Sequence, residues 1–382
     1  MSGSGIRSVA VLGGGISGSV VAVALAGIGV AVDLIEIAPD WRGVGHGITL
    51  QGNALRAFER IGVVDEVIAH GYSFDNIRLL RADGGLIVDL ATAHTGGDHL
   101  PSTVGSLRSS LQQILCEAVY AAGVNVRLGT HVTELAQDDA GVTVQFPDGT
   151  SGRYDLVIGA DGIRSRTRAL IGIDTVPQPS GMSIWRIGAP RPAEMTCAEV
   201  YYGGPHYKAG YSPIAKDQCY AYMLDEMLDR DSFGDRPPAA ILRERSAGYG
   251  GIWGQIRDGI RDDTPVNYQW IEWLLVDGPW HRGRVVLIGD AVHACPPLIA
   301  QGAAMGVEDA VVLAELLTAE ISTGGTDVET ILTKFAERRL PRVRRVVEAS
   351  LQLVEWEIHP DTPGADPAGI MSRTLAALVD PA

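Results

Sequence analysis

Apolar positions along this chain fall into short runs separated by glycine-rich turns and by amphipathic stretches. Residues 9–12 (Val-Ala-Val-Leu) form a strand-type run, a turn rich in glycine follows at 13–18, and residues 20–28 predict a helix that ends at Gly29. A second apolar run, 30–35, then leads to Glu36. This strand, turn, helix, strand unit carries G-x-G-x-x-G on Gly13, Gly15 and Gly18, in the context that a dinucleotide fingerprint requires. Each glycine has its own task there. Gly13 makes the tight turn, Gly15 lets backbone approach a pyrophosphate, and Gly18 lets helix pack on strand. Ile16 and Ser17 open the helix, whose free N–H groups favour phosphate, and Glu36 is placed to accept hydrogen bonds from ribose hydroxyls.

Further along, a glycine-rich loop at 42–47 precedes an amphipathic helix at 53–61, and alternation at 77–80 and 86–90 predicts two strands. A helix is expected at 109–122, a strand at 124–128, and a hairpin at 142–146 that feeds a buried strand ending near Ile158. Between 180 and 279 the texture changes to short aromatic-rich strands with one helix, at 238–245. Residues 284–288 are another buried strand, and the chain is mostly helical from 303 onward, with loops near 322–327 and 360–367. The expected class is therefore α/β: a Rossmann-like dinucleotide-binding domain from residues 1–75, 100–178 and 280–340, an inserted, mostly β substrate domain from 76–99 and 179–279, and C-terminal helices at 341–382.

Composition narrows the partners. With 382 residues and 47 glycines without a period, collagen-like repeats are excluded. A net charge of −15 argues against nucleic acid. The apolar stretch 9–32 is interrupted by six glycines, so neither a membrane span nor a signal peptide is expected, and a cytoplasmic location follows. Four separated cysteines indicate no disulfide framework and no metal site. The Arg338 to Arg345 cluster is expected to be a solvated or dimer-facing helix surface, and the protein a monomer or homodimer.

Two further motifs follow buried strands: Gly159-Ala160-Asp161-Gly162 and Gly289-Asp290-Ala291. In this order after the fingerprint, they resemble the single-component FAD-dependent aromatic monooxygenases, the family of the p-hydroxybenzoate, salicylate and 3-hydroxybenzoate hydroxylases. The resemblance runs from Val9 to about Arg345. It implies a p-hydroxybenzoate hydroxylase type fold that binds FAD and takes NADH or NADPH and O2 as co-substrates. A flavin C4a-hydroperoxide would then hydroxylate a small aromatic substrate. It also implies that Asp290 meets the ribitol chain, that Asp161 holds the pyrophosphate region, and that Arg108 reaches flavin or phosphate. Arg42 and His46 would lie along the flavin ring. The run 296–310 matches the family's proline turn and following helix, so Pro297, Gly302, Ala303 and Ala304 would face the flavin. Ala300 stands where glycine is common and Ala304 where asparagine is common. His46, Arg186 and Tyr211 are the candidate catalytic or substrate-contacting residues, Tyr211 on a strand expected to cover the flavin. His293 is expected to brace its turn.

The favoured substrate is a monocyclic phenol, hydroxybenzoate or hydroxylated N-heterocycle, with Arg186 or Arg257 available to a carboxylate. A polycyclic natural product or antibiotic is the alternative within the same chemistry, and a non-catalytic FAD-binding protein the alternative outside it. A plain NAD-dependent dehydrogenase would leave the Asp161 and Asp290 motifs unexplained. A flavin-dependent halogenase would need a W-x-W-x-x-I-P segment, whereas Trp253 is followed by Gly-Gln-Ile.

Overall fold

The computed structural model describes residues 6–41, 43, 45–323 and 327–382. Strand β1 (Ser8–Leu12) is wholly apolar from Val9 onward because both faces of its sheet are covered, by helices such as Ile16–Gly27 and by the small antiparallel sheet of Glu134–Asp138, Gly141–Gln145 and Ser151–Tyr154. The chain crosses through α1 (Ile16–Gly27) into β2 (Ala31–Glu36), parallel to β1 with Val9 opposite Val32. Next come β3 (Gly47–Gln51) and β4 (Thr103–Leu107), antiparallel neighbours in a small sheet. Helix α2 (Arg108–Ala121) starts directly where β4 ends, and β5 (Leu156–Gly159) returns parallel to β1.

The second half contributes β6 (Gln178–Pro190), β7 (Lys208–Pro213), β8 (Gln218–Glu226), β9 (Asn267–Leu275) and β10 (Val285–Leu287). Two long helices follow, α3 (Gly302–Thr323) and α4 (Val328–Ile358). The dinucleotide sheet runs His281–Arg282, β10, β5, β1, β2, Asn125–Leu128. The large antiparallel-dominated sheet runs His293–Ala294, β9, β6, β8, β7, Ala198–Tyr202, Asn76–Arg81, Leu86–Ala91. The segment around residues 76–91 thus joins strands from 178 onward, across about a hundred residues of chain.

Alternation divides the large sheet into two faces. Trp185, Ile187, Tyr201, Ala209, Tyr211, Ala221 and Met223 point to one side, where helices Pro238–Arg245 and Gly251–Asp258 cover them with Leu242, Trp253 and Ile256. Sequence periodicity predicts only the first of these two helices; the second is short and opens on Gly251, a residue with a positive φ of 56°. The other face, with Arg186, Gly188, Tyr220, Tyr222 and Gly210, looks toward the dinucleotide half.

Two expectations are corrected. A boundary at 340/341 falls inside α4, which continues through Pro341 because a long, packed helix tolerates the loss of one hydrogen bond. The arginine cluster is only in part a solvated surface: Arg338 and Arg345 are exposed, but Arg339 is completely buried, donating from Nε to Asp309 at 2.7 Å and from Nη1 to Glu308 at 2.9 Å. Its partners lie thirty residues earlier, on α3.

Candidate active site

The fingerprint turn is built as its glycines require. Gly13 has φ 109°, and a Cβ there would stand 2.4 Å from the Ala160 carbonyl oxygen, so the turn is pressed against the Asp161 motif. A Cβ on Gly18 would stand 1.9 Å from the Gly13 oxygen. Gly15 differs, because a Cβ there would meet nothing within 4 Å. It faces open space in front of the first turn of α1, whose N-terminus has no side-chain cap. That is a cradle shaped for an anionic group at a helix N-terminus. The Glu36 carboxylate, at the end of β2, accepts from the Gly14 N–H at 2.7 Å and from the Ala38 N–H at 2.8 Å. Trp41 and Gln112, which sequence reasoning did not single out, donate to the Gly14 oxygen at 2.6 and 2.9 Å and pin the turn from outside.

The other two motifs converge on this turn. Ser17 packs its side chain against Gly289 and Gly306, leaving a Cβ on either no room, so α1, the Asp290 turn and α3 meet at one point. Asp309 on α3 accepts from the Gly289 N–H at 2.9 Å and lies 2.5 Å from His293 Nε2, which braces the turn carrying Asp290. The Asp161 carboxylate accepts from Thr167 N–H at 2.9 Å and from the Ser165 hydroxyl at 2.5 Å, fixing the start of the short helix Arg166–Leu170.

Asp290 and Arg108 have accessible surface although protein surrounds them, which means that both line an internal recess. Enclosure pushes the Asp290 carboxyl above the ordinary carboxylate range, with His293 and Arg108 pulling the other way. Enclosure also lowers Arg108, and the nearby charge of Arg186 lowers it further. The same recess holds His46, whose Nδ1 lies 3.4 Å from where a Cβ on Gly188 would stand. Burial first, and Arg186 second, depress the His46 imidazole, so it is neutral at neutral pH. Arg186 donates from Nε to the Tyr220 hydroxyl at 3.1 Å, and its Nη1 lies 3.4 Å from the side-chain oxygens of Asn267 and Gln269. All three partners are neutral; among the described residues Arg186 has no carboxylate partner.

The structure thus brings together Gly13, Gly15, Ile16, Ser17, Gly18, Glu36, Asp161, Asp290, Arg108, His46 and Arg186. Pro297 lies exposed in a short turn next to them, and Gly302, Ala303 and Ala304 form the first turn of α3. Arg42 lies outside the described residues. Tyr211 is not at the site. It sits on the opposite face of the sheet, fully buried, with its hydroxyl donating to Glu199, and burial followed by that bond holds its phenol far above the usual range. Strand periodicity explains the difference: Tyr220 and Tyr222 occupy the facing positions of β8, and Tyr211 the averted one of β7. Arg257 is also elsewhere, bonded to the Ala247 and Tyr249 carbonyls.

One cluster away from the recess has metal-ligand chemistry. His206, Asp225 and Glu226 bring ligand atoms within 4.8 Å of one another, but Arg245 fills the gap, donating to Asp225 at 2.5 and 2.6 Å and to Glu226 at 2.7 Å. No helix among the described residues is long and apolar enough to cross a membrane.

Comparison with known proteins agrees with this geometry. A family model described as an FAD binding domain matches residues 7–216 and 261–350. The chain is 31% identical to aurachin C monooxygenase/isomerase of Stigmatella aurantiaca, over 92% of this chain and 90% of that one. It is 30% identical to 6-hydroxynicotinate 3-monooxygenase of Bordetella bronchiseptica, over 90% of each chain. Among solved structures, 2-methyl-3-hydroxypyridine-5-carboxylic acid oxygenase superposes with a TM-score of 0.80 at 22% identity, covering 97% of this chain and 96% of that one. The recess, with its open Gly15 cradle and its enclosed Asp290 and Arg108, fits the FAD that this family binds. The chain belongs to the FAD-binding-domain family and is an FAD-dependent aromatic monooxygenase that takes NAD(P)H and O2 as co-substrates.

Proposed function

We propose that the protein hydroxylates a monocyclic, carboxylate-bearing phenol or hydroxylated N-heterocycle, and that Arg186 receives the carboxylate. The carrying observation is the Arg186 guanidinium, a cation at the recess whose protein partners, Tyr220, Asn267 and Gln269, are all neutral. A planar guanidinium in that setting suits a bidentate anionic group. The relatives named for hydroxynicotinate and hydroxybenzoate support the same class.

In this reading the first turn of α1 and Glu36 hold the two ends of the adenosine diphosphate portion of FAD. Asp161, Asp290, Arg108 and His46 contact the rest, together with the segment from Pro297 to Ala304, and Arg42 belongs to the same set. When bound, FAD would take electrons from NAD(P)H and activate O2, which supplies the oxygen atom that is transferred. The chain's own work is different. The N-terminus of α3 presents N–H groups where negative charge builds up. The Arg186 face of the large sheet and the end of α4 exclude water. His46, neutral beside Arg186, offers one donor and one acceptor to the substrate.

Residues 76–99 and 179–279 act as the substrate domain on the remainder. The protein works in the cytoplasm, a reading supported by its four free cysteines, and does so as a monomer or homodimer. The test is a panel of hydroxylated aromatic rings with and without a carboxyl group, scored for NAD(P)H oxidation against peroxide release. Coupled oxidation with the acids, weakened about tenfold or more in KM by Arg186→Gln, is expected, since a charged hydrogen bond contributes about 1.5–3 kcal/mol. Equal turnover of acids and their decarboxylated counterparts would sink the assignment.

A further inference from the structure

One strand of the large sheet has a neighbour on one side only. Leu86–Ala91 is the last strand in the order, antiparallel to Asn76–Arg81, and its outer edge faces solvent. It ends a row that crosses the sheet and reads Asn267, Arg186, Tyr222, Gly210, Val200, Leu79, Val88. Leu86, Ile87 and Leu90 are 53%, 54% and 37% exposed, three of the ten large apolar side chains that stand exposed among the described residues. A free edge of this kind is a template for another strand, and chains that stay monomeric blunt it with lysine, proline or unpaired charge. The segment Leu-Ile-Val-Asp-Leu-Ala has no lysine and no proline. Its one charge is matched within the sheet, since Asp89 accepts from Asn76 Nδ2 at 2.7 Å and from Arg78 Nε at 3.0 Å.

Charge points to the occupant. The chain carries −15 overall, so two copies repel across most of their surfaces. At this edge Arg78 offsets Asp89, and in the adjoining turn Arg81 lies 3.6 Å from Asp83, so two copies can approach here without net repulsion. A twofold contact needs only one surface, and an antiparallel strand is complementary to itself. Backbone direction then selects the register. The Thr92 N–H donates to the Asp75 oxygen at 2.9 Å, so by two-residue alternation Leu90 and Val88 also turn their main-chain groups inward, while Asp89 and Ala91 turn theirs out. An axis at Val88 would have to pair Ile87, where the register slips between Leu79 and Leu80 and a bulge breaks the edge. An axis at Asp89 would set that carboxylate opposite its own copy, an unfavourable like-charge pair. An axis at Leu90 avoids both. It sets Asp89 opposite Ala91 of the second copy, and Ala91 opposite its Asp89, each pair exchanging two N–H···O bonds. The two Leu90 side chains then meet on the axis, with Cα atoms about 4.5 Å apart.

We propose that two copies of this chain join through Leu86–Ala91, antiparallel about a twofold axis at Leu90, so that their two large sheets become one. The proposal rests on the reading of the protein as a monomer or homodimer and narrows it to one surface. An edge contact of this length lies at the low end of specific interfaces, below about 1,200 Å², so the dimer forms and parts with concentration, with a Kd of about 1–100 µM. Arg186 lies five strands from the edge, about 24 Å at the usual strand spacing. The second copy therefore adds no side chain to the recess, and activity per chain is expected to be the same in monomer and dimer.

Light scattering behind size exclusion, on the FAD-loaded protein from about 1 to 100 µM, tests the pairing. The mass is expected to rise from that of one chain to that of two, and the Asp89 and Ala91 amides to exchange with solvent more slowly as it does. Leu90→Lys brings two ammonium groups together on the axis and should leave one chain at every concentration. Because Leu90 is exposed, that variant should keep the FAD content and thermal melting of the wild type. Leu90→Cys, treated with oxidised glutathione, should yield a disulfide-linked dimer, whereas Val88→Cys, two positions off the axis, should not. The four natural cysteines are buried or half-buried and serve as background in the untreated wild type. A wild type that stays one chain at about 100 µM, a dimer unmoved by Leu90→Lys, or cross-linking through Val88→Cys in place of Leu90→Cys overturns the proposal. The reading as a monomer or homodimer survives all three of those results. It falls instead with a larger assembly that Leu90→Lys cuts in half, which would support the edge contact.

Discussion

Ala300 has φ 55° and ψ 37°, the left-handed conformation that a residue with a Cβ adopts only at a cost. It is the one described non-glycine residue with positive φ, and it lies between Pro297 and the start of α3. Gln51 helps hold it there by donating to the Ile299 oxygen at 2.7 Å and accepting from Gln301 Nε2 at 2.6 Å. The sequence marks this place only as a departure from a common glycine; the backbone supplies the reason for that glycine. Ala300→Gly should therefore stabilise the protein by about 1 kcal/mol in urea unfolding, relief of the strain outweighing the added freedom of the unfolded chain. The fingerprint glycines separate in the opposite way. Gly15→Ala meets no protein atom, so the variant should fold with wild-type stability yet bind FAD at least about tenfold more weakly, because its new methyl fills the phosphate space. Gly18→Ala meets the Gly13 carbonyl and should lose stability as well as FAD. Equal behaviour of the two variants in FAD titration and thermal melting would contradict this division. Such residues were legible because their chemistry is local in sequence. Tyr220 and Tyr222 could not be told from Tyr211 in this way, since only strand register decides which alternate side chains face the recess.

At the scale of elements, the decisive unit is the pair α3 and α4. Glu308 and Asp309, adjacent on α3, receive Arg339 from α4, and Glu308 also accepts from Arg342 at 2.7 Å and from Asn53 Nδ2 at 3.0 Å. The charge run at 338–345 reads as solvated surface, which Arg338 and Arg345 are; Arg339 and Arg342 turn inward, toward carboxylate partners on α3 that lie thirty or more residues away in sequence. Burial acts to raise the Asp309 carboxyl, but His293, Arg339 and the Gly289 N–H outweigh it and bring it down to about 2. A carboxyl with a depressed folded-state value stabilises the fold above its ordinary value near 3.8, and that contribution is lost as pH falls toward 2. Its size is about 2 kcal/mol at neutral pH, with about half gone by pH 3. Urea unfolding of wild type and Asp309→Asn should therefore show a stability gap that is constant from pH 7 to pH 5 and narrows by about 1 kcal/mol at pH 3. A gap that stays the same over the whole range would mean that Asp309 gains nothing from its charge. Because Asp309 also holds the Gly289 N–H, the same variant should bind FAD less tightly at pH 7, through the displaced Asp290 turn.

For the whole molecule, the question is how two sheets from different parts of the chain meet closely enough to keep water from a reactive site. The two halves differ in sequence texture, yet their seam leaves no such mark, because it is made of absent side chains. A Cβ on Gly47 of β3 would stand 2.5 Å from the Tyr220 Cβ on β8, and one on Gly105 of β4 would stand 1.9 Å from the Pro213 carbonyl at the end of β7. Backbone of the dinucleotide half therefore rests directly against the substrate sheet, beside the row that carries Arg186 and Tyr222. Gly105 touches backbone, which has no rotamer with which to move aside, so Gly105→Ala must push the two sheets apart by about an ångström or more. Gly13, Gly15 and Gly18 lie elsewhere, and FAD content should stay close to that of the wild type. Water exclusion is what suffers: a larger share of the NAD(P)H oxidised in the presence of substrate should appear as peroxide instead of hydroxylated product, while the rate of NAD(P)H oxidation changes little. Measuring peroxide and product in the same reaction decides the matter. An unchanged ratio in a well-folded, FAD-loaded Gly105→Ala enzyme would show that the seam does not seal the site, and that exclusion of water rests on the α4 end of the recess alone.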